Sequence, residues 1–325
     1  MRKSGTSTRR RGLCTRGFAP GFRMTAAALR SPSRAIVRSV VCALVLGAAW
    51  VPAAFSDPDG APYRRIVSIN LSADELVLQL ADPEHIAALS WLVFDPELSR
   101  LAGRAAGFPS TDGSAEHILR LEPDIVFAGQ HTRRITSELL EQIGVRVVRL
   151  PVARSLEECR ELVRQVAGIL DVEERGEALI EDMDERLARL EEKVAARGSR
   201  PTALLYGQGG YTQGEETLAH HILEAAGLRN HASSFGVKGE TDLPLEKLLL
   251  SPPDFLVLLP YYENDPTLGS LLVRHRALRQ LPERMKIVEV PLAWTLTGNN
   301  LTARTAEHLW EQTEAALRDS PKEEP

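Results

Sequence analysis

Ala115-Glu-His-Ile-Leu-Arg-Leu-Glu-Pro-Asp-Ile-Val-Phe127 and Leu245-Glu-Lys-Leu-Leu-Leu-Ser-Pro-Pro-Asp-Phe-Leu-Val257 align without a gap, every position 130 residues from its partner. In both copies a glutamate opens a short helix carrying adjacent aliphatics. A Pro-Asp pair then ends the helix before an apolar strand, because proline cannot continue the ladder of helical hydrogen bonds. Two ordinary helix-to-strand junctions can look alike by chance, but the shared glutamate favours a repeat. A duplicated unit predicts two lobes of one architecture.

The surrounding chain has the matching rhythm. RIVSI at 65–69, HIAALS at 85–90, DIVFAG at 124–129 and VRVVRL at 145–150 are short apolar runs separated by amphipathic segments, and the pattern restarts with TALLYG at 202–207, FLVLL at 255–259 and KIVEV at 286–290. Strands alternating with helices predict parallel sheets. The expected fold class is therefore α/β, with two Rossmann-like lobes joined by one long rigid helix. Ile180, Met183, Leu187, Leu190 and Val194 recur at spacings of three and four between Asp171 and Gly198, which makes that stretch the linking helix. At 1.5 Å per residue it reaches on the order of 40 Å. The expected division is a leader over 1–56, an N-terminal lobe over 57–170, the helix over 171–198 and a C-terminal lobe over 199–325.

The first 56 residues hold ten Arg or Lys and no acid, and the apolar run from Val40 to Ala54 is short for a membrane span. Arginines before it and Ala54-Phe55-Ser56 after it read as a cleaved secretory signal ending at Ser56, with Met24 an alternative start. The arginines of Thr8–Leu13 lie far from the run, which argues against twin-arginine export. Cys42 lacks the small residue a lipoprotein site requires just before its cysteine.

Beyond the leader, 29 basic against 44 acidic residues give a formal charge of −15, so nucleic acid is not an expected partner. Cys159 is the one cysteine left, which excludes an internal disulfide.

Ligands of open parallel sheets bind beyond the carboxyl ends of the strands, so the loops there hold the candidates. They are rich in aromatics: Trp91 and Phe94 follow the second strand, Tyr211 lies in GQGGYTQG, Tyr261 and Tyr262 follow FLVLLP, and Trp294 follows KIVEVPLA. Such side chains either plug sheet ends or offer flat walls to a large, partly apolar ligand. His131 and Arg133 in the loop after DIVFAG are candidate donors to an anionic group, or sit on a solvated helix face. In the first loop Ser72 is placed to cap the next helix and Asn70 to face the cleft.

Enzyme signatures are missing. GQGGYTQG lacks the Lys-Ser/Thr of a phosphate loop, no nucleophile elbow occurs, and adjacent His220 and His221 do not have metal-ligand spacing. No catalytic residue, resident cofactor or bare-metal site is expected.

RIVSINLSADELVLQLADPEHIAALS from Arg65, SAEHILRLEPDIVFAG from Ser114, the linking helix and LPLEKLLLSPPDFLVLL from Leu243 together resemble the ferric-siderophore and cobalamin class of periplasmic binding proteins, from Arg65 to the end. The resemblance implies a monomeric periplasmic component of an ABC importer that holds an iron chelate or cobalamin-like ligand between its lobes with little closure. It also implies that Glu116 and Glu246 dock onto arginines of a permease dimer in the inner membrane. NLSADE at 70–75 carries no ligand-specific signature, so an iron–siderophore stands ahead of cobalamin, and both ahead of haem. An exported enzyme on a similar frame is the alternative from another class.

Overall fold

The computed structural model describes residues 61–131, 134–259 and 285–318. Tyr261, Tyr262, Arg133 and the leader lie outside them. In the N-terminal lobe the chain runs β1 (Ile66–Ser68), α1 (Leu71–Leu80), β2 (Ile86–Ser90), α2 (Ala102–Ala105), β3 (Ser110–Thr111), α3 (Ala115–Arg120), β4 (Ile125–Gly129), α4 (Arg134–Gln142), β5 (Val147–Leu150) and α5 (Leu156–Leu170). The strands pair in parallel in the order β3-β2-β1-β4-β5.

After α6 (Glu173–Arg197) come β6 (Thr202–Tyr206), β7 (Tyr211–Gln213), α7 (Leu218–Ala225), β8 (Arg229–Asn230), β9 (Glu240–Asp242), α8 (Leu245–Leu250), β10 (Phe255–Leu258), β11 (Lys286–Glu289) and α9 (Thr302–Arg318). Here the parallel order is β11-β10-β6-β8, while β7 and β9 form a separate antiparallel ribbon. The fold is thus α/β with two parallel-sheet lobes. All seven strands expected from apolar runs are present; β3, β7, β8 and β9, of two or three residues each, are additions.

The repeat is structural. α3 and α8 occupy equivalent stretches, as do β4 and β10, and each strand lies beside the first strand of its lobe, β1 or β6. The repeated aspartates do the same work: Asp124 Oδ2 accepts from the amides of Arg64 and Arg65 (2.8 and 2.9 Å), and Asp254 Oδ2 from the amide and hydroxyl of Thr202 (both 2.7 Å). Each carboxylate pins the entry of the first strand to the entry of its neighbour. In both lobes the strand order reverses between these two strands, which places a ligand crevice at their carboxyl ends.

α6 belongs to both cores. Ile180 is buried with the N-terminal lobe, Leu190 and Val194 with the C-terminal lobe, and Met183 between them with Ala153, Cys159 and Ala303. Gly198 ends the helix in the left-handed region at φ 71°. The expected helix is therefore present, a strut of about 37 Å whose two ends are fixed in different cores.

Capping differs from the expectation. Asn70, extended at φ −144°, is the N-cap of α1, and its Oδ1 accepts from Ala73 N at 3.2 Å. Ser72 is already inside the helix. The chain turns two residues earlier than the hydroxyl suggested, since a cap must precede the first helical residue.

Candidate functional site

The carboxyl ends of β4 and β5 in one lobe and of β6, β10 and β11 in the other converge on a cavity of about 1040 Å³. Gln130, His131 and Arg154 reach it from the N-terminal lobe; Gln208, Tyr211, Gln213, Glu216, Glu240 and Asp242 surround it on the other. The switch-point geometry accounts for this: Gln130 follows β4, and Gln208 follows β6.

Of the sequence candidates, His131 and Tyr211 line this cavity and face it from opposite lobes. Asn70 does not line it and instead caps α1. Trp91 is half exposed outside the lining, and Phe94 packs on the N-terminal core. Trp294 packs on the C-terminal core, its ring 4.6 Å from that of His308 and 5.1 Å from the Arg100 guanidinium. It plugs a sheet end, the first of the two roles open to these aromatics.

Tyr211 starts the ribbon. Gln213 Nε2 donates to its hydroxyl at 2.5 Å, and burial pushes the phenol above its ordinary pKa against the lowering effect of that bond. The ribbon is seated tightly on β6: a Cβ on Gly210 (φ 89°) would lie 2.5 Å from Leu243 O, one on Gly214 2.1 Å from Val237 O, and Tyr206 Oη donates to Leu243 O at 3.1 Å. These glycines let two backbones approach where any side chain would separate them. Glu240 and Asp242 are thereby held at the cavity edge. Glu216, Glu240 and Asp242 have no ion-pair partner among the described residues, where Arg154 is the guanidinium facing them.

Sequence reasoning missed the polar junction beside the cavity. Glu75 of α1 is fully buried and accepts from Ser99 Oγ (2.8 Å), Thr297 Oγ1 (2.7 Å) and Asn299 Nδ2 (2.8 Å). Gln79 and Asn300 exchange side-chain hydrogen bonds at 2.9 and 3.2 Å, and Arg100 Nη1 donates to Leu301 O at 2.7 Å. Residues more than 200 positions apart thus lock α1 to the start of α9, and Thr297 itself lines the cavity. Nothing near Glu75 in the sequence announces partners at that distance.

Among the described residues no group of His, Cys, Asp and Glu is arranged to hold a metal ion, and no helix is long and apolar enough to cross a membrane. Cys159 is buried and its thiol is pushed up to about 11 by burial, which leaves it unreactive at neutral pH.

Two parallel-sheet lobes on one helical strut, with a cavity between their strand ends, define a class of two-lobed ligand-binding proteins. The family model described as periplasmic binding protein matches residues 66–282, two thirds of the chain, and the chain belongs to that family, one of binding proteins and not of enzymes. Curated relatives from two strains of Halobacterium salinarum, each named cobalamin-binding protein, are 26% identical over 196 residues, covering 59% of this chain and 53% of theirs. The chain thus spans about half the length of the curated relatives it matches. Among solved structures, the apo haem-binding RhuT of Roseiflexus sp. RS-1 superposes with a TM-score of 0.64 at 23% identity, over 78% of this chain and 99% of that one. The ABC-type Fe3+-hydroxamate transport system protein of Saccharomonospora viridis gives 0.60 at 23%, over 78% and 94%. The haem-binding HutB of Vibrio cholerae gives 0.62 at 18%, over 76% and 97%. At these identities the structures establish the shared fold.

Proposed function

We propose that this chain is the periplasmic substrate-binding component of an ABC importer, capturing an iron–siderophore or related chelate between its lobes and presenting it to the permease. The cavity of about 1040 Å³ with walls from both lobes carries the reading, since it stands at the upper end of ordinary ligand sites, roughly 300–1,000 Å³. Its size suits a compact chelate better than a single ion. Glu216, Glu240 and Asp242 outnumber Arg154 around it, and unpaired carboxylates repel anions. A neutral or cationic ferric hydroxamate is therefore favoured over tricatecholates and over haem with its propionates. Burial favours the neutral form of the Tyr211 phenol over the phenolate that would ligate haem iron, with the amide hydrogen bond from Gln213 acting in the opposite direction.

A corrinoid is the second reading. The name of the Halobacterium relatives supports it, as do the side-chain amides of Gln130, Gln208 and Gln213, which suit an uncharged periphery of amide groups. His131, Tyr211 and Arg154 are proposed ligand contacts, with Arg133, Tyr261 and Tyr262 as candidates outside the described residues. Asn70, Trp91, Phe94 and Trp294 would act around the site and not in its lining.

Glu116 and Glu246 are the proposed docking residues, one on each lobe, for two equivalent basic pockets of a dimeric permease. Residues 1–56 would serve as the export signal; the amino terminus of protein recovered from the periplasm is then expected at Asp57. The central test is equilibrium titration with ferrioxamine B, cyanocobalamin, haemin and a ferric tricatecholate. Submicromolar binding of one of the first two, without chemical change, is expected; no binding of any of the four tighter than about 100 μM would sink the reading.

A further inference from the structure

The cavity does not end at the surface of the C-terminal lobe. Leu205, Ile222, Leu223, Val257, Val290 and Leu309 all line it, although each is at most 9% exposed and belongs to the core. They come from both layers of the lobe: Leu205 and Val257 from β6 and β10, Val290 from just after β11, Ile222 and Leu223 from α7, and Leu309 from α9. The cleft therefore continues as a recess between the sheet and its covering helices.

The chemistry changes along this path. The mouth carries Gln208, Gln213, Glu216 and Glu240, while the floor is aliphatic. Hydroxyls bordering the floor are already used: Thr305 Oγ1 donates to Trp294 O at 2.8 Å, and Thr217 Oγ1 to Gly214 O at 2.7 Å. Water in the recess would find few partners, whereas an apolar group would meet aliphatic atoms on several sides. Ala219 on α7 also lines the cavity and contributes only a methyl group. The N-terminal wall is shallower, with Gln130, His131 and Arg154 beside Val152 and Ala153, and no residue of its strands lines the cavity.

We propose that the C-terminal recess receives an apolar arm of the ligand, so that the chelate is amphiphilic, with its polar head in the cleft and an aliphatic chain between β6, β10 and α7. The inference rests on the importer reading above and names the chemical class of its ligand. The test compares the ferric complexes of N-acetyl- and N-dodecanoyl-desferrioxamine B, which share charge and metal centre and differ in the arm. By calorimetric titration the dodecanoyl complex is expected to bind at least about tenfold tighter, as burial of a few methylenes requires. Ala219→Leu, which adds bulk to the lining beside Ile222 and Leu223, is expected to reduce that ratio to about twofold or less, with Leu223→Phe as a second filling variant should the first fail to fold. Equal dissociation constants for the two complexes on the unaltered protein would overturn the recess and leave the importer reading standing. A ratio unchanged in a folded filling variant would overturn it as well. Failure of both complexes, and of cyanocobalamin, haemin and the ferric tricatecholate, to bind would remove the importer reading and the recess together.

Discussion

Asp74 and Glu75 are neighbours on α1, both fully buried, and they face different environments. Asp74 Oδ1 accepts from Ser90 N at 3.1 Å and Oδ2 meets the Ser90 hydroxyl, which fixes the end of β2. Burial, with a smaller push from Glu75, lifts its pKa from 3.8 to about 7, against the lowering effect of Ser68 and Ser90. The folded state thus keeps a proton that the unfolded chain has released. Between those two values this residue makes stability fall as pH rises, and above about 7 its cost is constant. Asp74→Asn retains the shape without the charge, so urea midpoints at about pH 5 and about pH 8 should differ less in this variant than in the unaltered protein, with the variant more stable at the higher pH. Glu75, by contrast, has three donors arranged around it. Glu75→Ala strands Thr297 and Asn299 and is expected to cost about 3 kcal/mol in chemical denaturation, with Glu75→Gln costing less. These roles are invisible in LSADELVLQL, which reads as an ordinary helix turn because each partner is supplied by tertiary structure. The same reason explains the aromatic loops: Trp91 and Trp294 share a position after a strand with Tyr211, and packing alone decides which of them turns to the cavity.

At the level of elements, the strands were legible wherever four or five apolar residues ran together, and the helices wherever aliphatics recurred every three to four residues. The ribbon of β7 and β9 was not, since three-residue strands carry too little periodicity to register, yet it brings Glu240 and Asp242 to the cavity. α6 was fully legible as a helix, but its packing was not. A Cβ on Gly176 would lie 2.5 Å from Ala167 Cβ, so the helix presses against α5 at a point where no side chain fits. Propensity alone would have Gly176→Ala stabilise the helix by about 1 kcal/mol. The contact reverses the sign: a net loss of about 1–3 kcal/mol is expected from overpacking. The double variant with Ala167→Gly should recover much of it, and a thermal melt of the three proteins decides between propensity and packing.

For the whole molecule, the repeat is a statement about symmetry as well as fold. The proposed docking to two equivalent basic pockets would need one acidic knob on each lobe, and Glu116 on α3 and Glu246 on α8 lie at equivalent places, both exposed. The two knobs are nevertheless unequal. Glu116 Oε1 is held by Arg120 Nη1 at 2.6 Å, one turn along α3. On α8 the corresponding position is Leu250, 86% exposed, and among the described residues Glu246 has no ion-pair partner. A permease arginine meeting Glu116 must displace Arg120, a small cost because exposed pairs are worth about 0–1 kcal/mol, whereas Glu246 is available at once. Glu246→Ala is therefore expected to slow chelate uptake in cells by about tenfold and Glu116→Ala by about threefold, since such charges govern encounter and orientation more than total affinity. Purified protein of either variant should bind ligand unchanged, because neither side chain lines the cavity. Arg120→Ala supplies the decisive comparison: freeing Glu116 should leave uptake intact or raise it. A fall in uptake with Arg120→Ala, or equal losses from the two glutamate variants, would show that the ion pair on α3 does not set the asymmetry.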